Sequence, residues 1–396
     1  MADSKSKSAT ESETERLRME ISLPEKVAEE IIKLLNKAEE TNYFSDNFEK
    51  LDFIDEGGFG KVYRVRQKTN SRKDEKLAVK HIDLSEEVTS DGGSKFSTNT
   101  SDTQGFNHLI LCCQEAILQS DIFQNQTILP VLRKWIQPNE KPTDDYESSK
   151  KTVIDFLQKC LTCIRNEGLL PPRTAEIEKA WANIRGMSIY LVMEYYDMSL
   201  RKWLDSTNYR NTDDAVEIIA QIVDALQYIH HDTYNYIHYD LKPANILIRY
   251  DIDGSIEAVL TDFGLCRLHG SHLDPELSNR DGTSPYNHAP EDVLTEKFDM
   301  WSFGLLVYEL ICPKAVTITE LSKLNEEAKK TSIPELHSYI DSNSEIEGLS
   351  YYISVVVRCL RPDAKERVSS KTLYDELYPV GSQETGNSEF DEEEVA

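Results

Sequence analysis

The most constraining stretch of this 396-residue chain is Tyr236-Ile237-His238-Tyr239-Asp240-Leu241-Lys242-Pro243-Ala244-Asn245-Ile246-Leu247. Apolar residues flank a polar core that carries a carboxylate, an ammonium and an amide within six positions. Asp240 and Asn245 stand five apart with Pro243 between them, a spacing that predicts a fixed loop and not a helix face. Such a loop suits phosphoryl transfer. Its carboxylate accepts the proton of an attacking hydroxyl, its cation neutralises the moving group, and its amide oxygen binds a metal ion.

Other stretches supply what that chemistry needs. Phe48 to Val65 alternates like two strands around a turn containing Gly57, Gly58 and Gly60, and glycines let a backbone approach phosphate oxygens closely. A purely structural hairpin has the same look. Leu77-Ala78-Val79-Lys80-His81-Ile82 reads as a buried strand with one lysine, twenty residues after Gly60; the plain alternative is a lysine pointing to solvent. Leu109 to Gln119 reads as a helix in which Glu115 is the only acid. Ala258-Val259-Leu260-Thr261-Asp262-Phe263-Gly264 puts a carboxylate at the end of an apolar strand, where a hard oxygen ligand for magnesium is expected.

In this order the residues resemble the eukaryotic protein kinase superfamily, and Lys242, two after Asp240, matches its serine/threonine type. The resemblance implies an α+β bilobal fold with a small β-rich N-lobe and a larger, mainly helical C-lobe. It implies ATP and Mg2+ as cofactors and a protein substrate with a Ser or Thr hydroxyl. Carried over by position, Asp240 is the catalytic base, with Lys242 and Asn245 beside it, and Asn245 and Asp262 hold the metal. The nucleotide site comprises Ile54, Gly57, Gly60, Val62, Ala78, Lys80, Glu115, Met193, Glu194 and Tyr196. Within it Met193 guards the back of the pocket, and Glu194 and Tyr196 offer backbone groups to adenine. Gly282 to Glu291 matches the end of an activation segment, in which Thr283 contacts Asp240 and Lys242. Glu291 is expected to pair with Arg367, and Asp299 to brace the loop through its backbone amides. Met193 to Leu204 resembles the hinge region of the translation-initiation-factor-2α kinases, a group that also carries an insertion before the fifth strand.

Three positions depart from the family pattern. Asp55 stands where the first glycine of the turn is expected. Leu118, the inward apolar residue, falls three and not four after Glu115, so the expected Lys80–Glu115 pair competes with a slipped register or an absent bridge. Tyr239 replaces the arginine that would bind a phosphorylated activation segment, which predicts activity independent of such a phosphate. These departures keep open a pseudokinase acting as a scaffold or allosteric partner, against which Lys80, Asp240, Asn245 and Asp262 all weigh. A small-molecule kinase on the same fold is a further alternative, disfavoured by the Thr283 to Glu291 segment.

Composition bounds the rest. A net charge of −26 repels nucleic acid and anionic membrane, so neither is expected as a partner. No apolar run reaches membrane-spanning length and no secretory leader is visible, so a cytoplasmic or nuclear location is expected. Seven cysteines are expected to be reduced thiols, and Cys160-Leu161-Thr162-Cys163 fits an apolar helix pattern better than a zinc site. Residues 1–44 read as an extension, disordered and then helical from Pro24 to about Glu40. Residues 45–380 read as the kinase domain, with the N-lobe over about 45–195 and the C-lobe over about 196–380. Insertions are placed near 90–105 and 137–186, the second with helices near Thr152 to Arg165 and Thr174 to Ile184. Residues 381–396 read as an acidic disordered tail. His230 and His231 are expected to cap a core helix, and nothing in the sequence fixes the oligomeric state.

Overall fold

Strands Phe48–Gly57 (β1) and Gly60–Gln67 (β2) form an antiparallel hairpin whose ladder closes with Gly57 opposite Gly60. The computed structural model describes residues 25–379 except 58–59, 69–75, 86–88, 91–93, 96–112, 167–170, 172–173, 185, 207–211, 271–285, 287–288, 292–293, 313–314 and 331–348. Gly60 has a φ of +154°, and a Cβ there would meet the His81 carbonyl oxygen at 2.4 Å, so β2 can lie this close to its neighbour only through a glycine. That neighbour is Leu77–Asp83 (β3), followed in the sheet by Met187–Glu194 (β5) and Val131–Pro138 (β4), giving the antiparallel order β1-β2-β3-β5-β4. Both faces of β3 are covered, which is why its sequence is apolar without alternation.

The outer face of this sheet has a core of its own. Phe44, Phe48, Trp135 and Tyr190 pack there with Val65, Leu77, Val79 and Val192. Trp135 stacks on Tyr190 with centroids 5.1 Å apart, and Phe44 stacks on the same ring at 4.9 Å. Each such ring contributes about 1.5–3 kcal/mol by leaving water. Phe44 comes from a short helix, Tyr43–Asn47 (α2), which lies just ahead of β1.

Three further helices join the small lobe. Glu25–Asn36 (α1) buries Val27, Ala28, Ile31, Leu34 and Leu35, a spacing of three and four that makes one apolar stripe. It packs on Tyr146–Arg165 (α4), and Arg165 donates to Glu25 at 2.5 Å and to Glu29. α4 packs in turn on Ala175–Ile184 (α5). α4 starts six residues before the helix expected from Thr152, because the polar stretch from Tyr146 still buries Tyr146 and Ser149. Cys160 is buried and Cys163 partly exposed on α4, and among the described residues no cluster of three or more His, Cys, Asp or Glu is arranged to hold a metal.

The helix carrying Glu115 is described from 113 (α3), and it does not end at Gln119: it continues as a π-helix over Leu118–Ile122. The wider turn brings both Leu118 and Gln119 inside, which accounts for the irregular spacing after Glu115. The strand expected from Ile128 starts only at Val131. Pro130 has no N–H for a ladder, and the chain before it pairs elsewhere: Leu129 donates to the Leu260 carbonyl at 2.9 Å and Leu260 to that of Thr127 at 2.9 Å.

The larger lobe is built around Thr212–His230 (α7) and Glu296–Ile311 (α8). α8 is buried almost all round, as its lack of a polar face predicts. Leu349–Cys359 (α10) and Ser370–Leu377 (α11) pack on α8 and α7 respectively, while Ile318–Lys330 (α9) covers Trp301 through a 2.9 Å bond from its Nε1 to Asn325. Met198–Ser199 (β6) and Leu200–Ser206 (α6) lead in from the small lobe. Tyr236–Ile237 (β7), Ile246–Tyr250 (β8), Ile256–Leu260 (β9) and Arg267–Leu268 (β10) then form the short sheets β9-β8-β6 and β10-β7. The expected pair of Glu291 and Arg367 is present at 2.5 and 2.7 Å, with the guanidinium fully buried and 4.8 Å from the Trp301 ring.

Among the described residues no helix is long and apolar enough to cross a membrane. The expectations for residues 1–20, for Thr283 and for the tail 381–396 lie outside the described residues. So does most of the first insertion, of which Thr89–Ser90 pairs with Ser94–Lys95.

Candidate active site

The loop after β7 is held from beneath by one carboxylate. Asp299, fully buried at the start of α8, accepts the His238 amide on Oδ2 at 2.7 Å and the Tyr239 amide on Oδ1 at 2.9 Å. His230 is not the helix cap expected from the sequence. Buried at the end of α7, it places Nε2 2.8 Å from Asp299 Oδ2 and Nδ1 2.9 Å from Ser370 Oγ. Tyr239 adopts a left-handed φ of +69° and stacks on Phe298, with centroids 4.9 Å apart. For a bulky residue that backbone is strained by about 1–3 kcal/mol, which the Asp299 bond and the stacking offset.

His238 bonds through both of its ring nitrogens. Nε2 lies 3.0 Å from the Thr261 carbonyl, which can only accept, and Nδ1 receives the Asp240 amide at 3.3 Å. Nε2 is therefore the donor towards Thr261 and Nδ1 the acceptor from Asp240. It ties the loop to the strand that delivers Asp262.

Asp240, Lys242 and Asn245 converge. Lys242 Nζ is 3.0 Å from Asp240 Oδ2, and Asn245 Nδ2 donates to the same oxygen at 3.0 Å and to the Asp240 carbonyl at 2.8 Å. Pro243–Asn245 forms a single 3-10 turn, the local consequence of Pro243 at its first position. Both Asn245 bonds run through nitrogen, so its Oδ1 is left to serve as a hard donor. Thr261 donates its amide to the Asn245 carbonyl at 3.0 Å, which sets Asp262 beside this group.

Asp262 has a left-handed φ of +66°. Lys80 Nζ lies 3.3 Å from its Oδ1 and 2.5 Å from Glu115 Oε1, so the lysine of β3 joins the acid of α3 to the acid after β9. Burial opposes the charge on Asp262, but Lys80 and then Lys242 hold its carboxyl below the ordinary range. Burial pushes Glu115 up to about 7 against the pull of Lys80. Lys80 itself is kept above its usual value because the two carboxylates outweigh its burial. Of the two acids sharing this cation, Asp262 keeps its charge and Glu115 is the first to take a proton. An asparagine oxygen and one ionised carboxylate are hard donors that would suit Mg2+.

The remaining residues expected at the nucleotide lie on the small-lobe strands or, for Tyr196, just after them. Gly57 and Gly60 end the hairpin, Ile54 and Val62 are partly buried against the main core, and Val62 is paired with Lys80 across β2 and β3. Ala78 lies opposite Met193 and Leu77 opposite Glu194 across β3 and β5; Met193 and Tyr196 are buried.

Several residues of the site were not singled out in the sequence. Gln114 donates to the Cys266 carbonyl at 2.7 Å, and Gln119 donates to the Leu129 carbonyl and to Thr261 Oγ1, each at 3.3 Å. These two buried amides pin α3 to both sides of the Asp262 turn. Phe263 is fully buried, 5.1 Å from Phe123 and 4.9 Å from His238 between ring centroids. Helical spacing offered one signal, since Gln119 is one turn after Glu115 and so shares its face.

A two-lobed fold with a β3 lysine, a braced acid-cation-amide loop and a second acid at a strand end defines the protein kinase class. Compared with family models, the chain matches the protein kinase domain over residues 175–378, and it belongs to that family. The strands β1 to β4 and α3 lie ahead of the matched span. Among curated proteins it is similar to the L-type lectin-domain containing receptor kinase V.5 of Arabidopsis thaliana, 34% identical over 149 residues, covering 35% of this chain and 22% of the relative. It is also similar to serine/threonine-protein kinase 33 of Bos taurus, 29% identical over 205 residues, covering 49% and 40%. A third is the LRR receptor-like serine/threonine-protein kinase FEI 2 of Arabidopsis thaliana, 30% identical over 167 residues, covering 39% and 28%. The matched stretch thus spans between 22% and 40% of the length of these relatives.

Proposed function

We propose that the chain is an ATP-dependent protein kinase that transfers the γ-phosphoryl group to a serine or threonine hydroxyl of a protein. The observation that carries this reading is the convergence of Lys242 and Asn245 on Asp240, with Lys80 joining Glu115 to Asp262. A lone scaffold has no chemical need of all these groups at once.

Asp240 accepts the proton of the substrate hydroxyl, and Lys242 offsets charge on the group in transfer. Lys80, fixed by Glu115, holds the nucleotide phosphates. Asn245 and Asp262 present the oxygens that hold Mg2+, which when bound neutralises phosphate charge. Lys242, two residues after Asp240, supports the serine/threonine type, as do the names of two of the relatives. The helical insertion α4–α5 ahead of β5 agrees with the likeness of Met193 to Leu204 to the translation-initiation-factor-2α kinases. A cytoplasmic or nuclear place belongs to the same reading.

Phosphoamino-acid analysis after incubation with Mg-ATP and a mixed protein substrate tests it. Phosphoserine and phosphothreonine that vanish with Asp240→Asn are expected; phosphotyrosine as the main product would overturn the assignment. The second reading, a pseudokinase, draws on Asp55 in the hairpin and Tyr239 in the loop. It requires nucleotide binding or none, but no transfer.

A further inference from the structure

The two residues read as seating adenine through their backbone, Glu194 and Tyr196, turn their side chains onto one cluster in the larger lobe. Arg249 of β8 donates from Nη1 to Glu194 Oε2 at 2.7 Å and from Nε to Glu257 Oε2 at 2.5 Å. Its guanidinium carbon lies 4.6 Å from the centre of the Tyr196 ring. Tyr196 in turn donates its hydroxyl to Glu257 Oε1 at 2.7 Å. Glu257 is the residue opposite Arg249 in the β8–β9 ladder, so the cation and its second acid are fixed by backbone pairing before either reaches the connecting segment.

The parts reinforce one another. A planar guanidinium satisfies two carboxylates through different nitrogens while its face covers an aromatic ring, which a lysine cannot do. Burial works against the charge on Arg249, yet the bonds to Glu257 and Glu194 hold it above its usual range. Burial, and then Glu257, keeps the Tyr196 phenol protonated as a donor. With the Glu194 and Tyr196 side chains both held on Arg249 and Glu257, the backbone of 194–196 is tied at two points to β8 and β9.

We propose that Arg249 is a positioning residue that sets nucleotide affinity by fixing the backbone of residues 194–196 across the two lobes. The proposal rests on the reading of this segment as the adenine seat. It predicts an effect on nucleotide binding and not on the transfer step, since Arg249 is bonded to neither Asp240 nor Asp262 in the contacts described above.

The test compares wild type, Arg249→Met, Arg249→Lys and, as a control at a distant surface ion pair, Arg358→Met. KM for ATP and kcat are measured together with the Kd for Mg-ATP by calorimetry. Arg249→Met is expected to raise KM and Kd about five- to tenfold with kcat within about twofold, Arg249→Lys to fall between, and Arg358→Met to leave KM unchanged. Wild-type KM in Arg249→Met, or a fall in kcat at constant KM, overturns the positioning role while leaving the kinase reading intact. A wild-type protein that neither binds Mg-ATP nor transfers phosphate overturns both.

Discussion

Tyr239 stacks on Phe298, the residue before Asp299 in α8, with ring centroids 4.9 Å apart. The loop that carries Asp240 is thus seated by a ring contact and by two amide bonds to Asp299, at the position where a phosphate-binding arginine would otherwise stand. The seat needs no added charge. Phosphatase-treated protein is therefore expected to keep its phosphotransfer rate within about twofold, measured against untreated protein. Tyr239→Ala is expected to lower kcat by about 10-fold or more, because misplaced reacting groups are costly. A large loss on phosphatase treatment alone would contradict this.

The His230 bridge makes a prediction about stability. His230→Leu keeps the volume but leaves Asp299 Oδ2 and Ser370 each short of a buried partner. Such a loss costs about 1–3 kcal/mol. Urea denaturation should show that decrease at unchanged slope, and kcat should fall with it since Asp299 also holds the His238 and Tyr239 amides.

Gly60→Ala tests the hairpin. Its Cβ would stand 2.4 Å from the His81 carbonyl oxygen at a φ of +154°. Backbone must move, and a loss on the order of 1–3 kcal/mol is expected. Because β2 also carries Val62 opposite Lys80, KM for ATP should rise in the fraction that stays folded. Unchanged melting temperature and KM would mean that β2 does not approach β3 as closely as described.

Much of the site could be read in the sequence because it is local. Asp240, Lys242 and Asn245 lie within six residues, and Asp262 follows an apolar strand of recognisable pattern. The buried pair Lys80–Glu115 spans 35 positions, yet each partner is the conspicuous charge of its segment, while Glu291–Arg367, 76 apart, was legible only through the family resemblance. The glutamines were not. Gln114 and Gln119 look like ordinary helix residues until the turn around Asp262 is brought against them. His230 was misread for the same reason, since its partners Asp299 and Ser370 lie 69 and 140 residues away. The π-helix over Leu118–Ile122 is set by packing that periodicity does not carry.

The last helix offers a pH test. Glu376 accepts two bonds from Arg358, at 2.6 and 2.8 Å, and one from the Tyr351 hydroxyl at 3.0 Å. Arg358, then the Tyr351 hydroxyl, hold its carboxyl below the ordinary value of 4.5. A carboxyl lowered on folding contributes stability that is present above 4.5 and lost as pH falls through the folded value. Melting temperatures of wild type and Glu376→Gln should differ at pH 6 and converge as pH falls through the lowered value of the folded carboxyl. A difference that persists or grows into acid would reverse the sign and the assignment.

The central claim is that Asp240 does the chemistry of phosphoryl transfer. The rate of γ-phosphoryl transfer from Mg-ATP, measured for wild type and Asp240→Asn at equal concentration of folded protein, tests it directly. The substitution keeps the shape and the Asn245 loop but removes the proton acceptor, and the predicted result is a loss of at least about 10²-fold with KM for ATP little changed. Equal rates in the two proteins, or no transfer by the wild type under conditions where it binds Mg-ATP, would contradict the account.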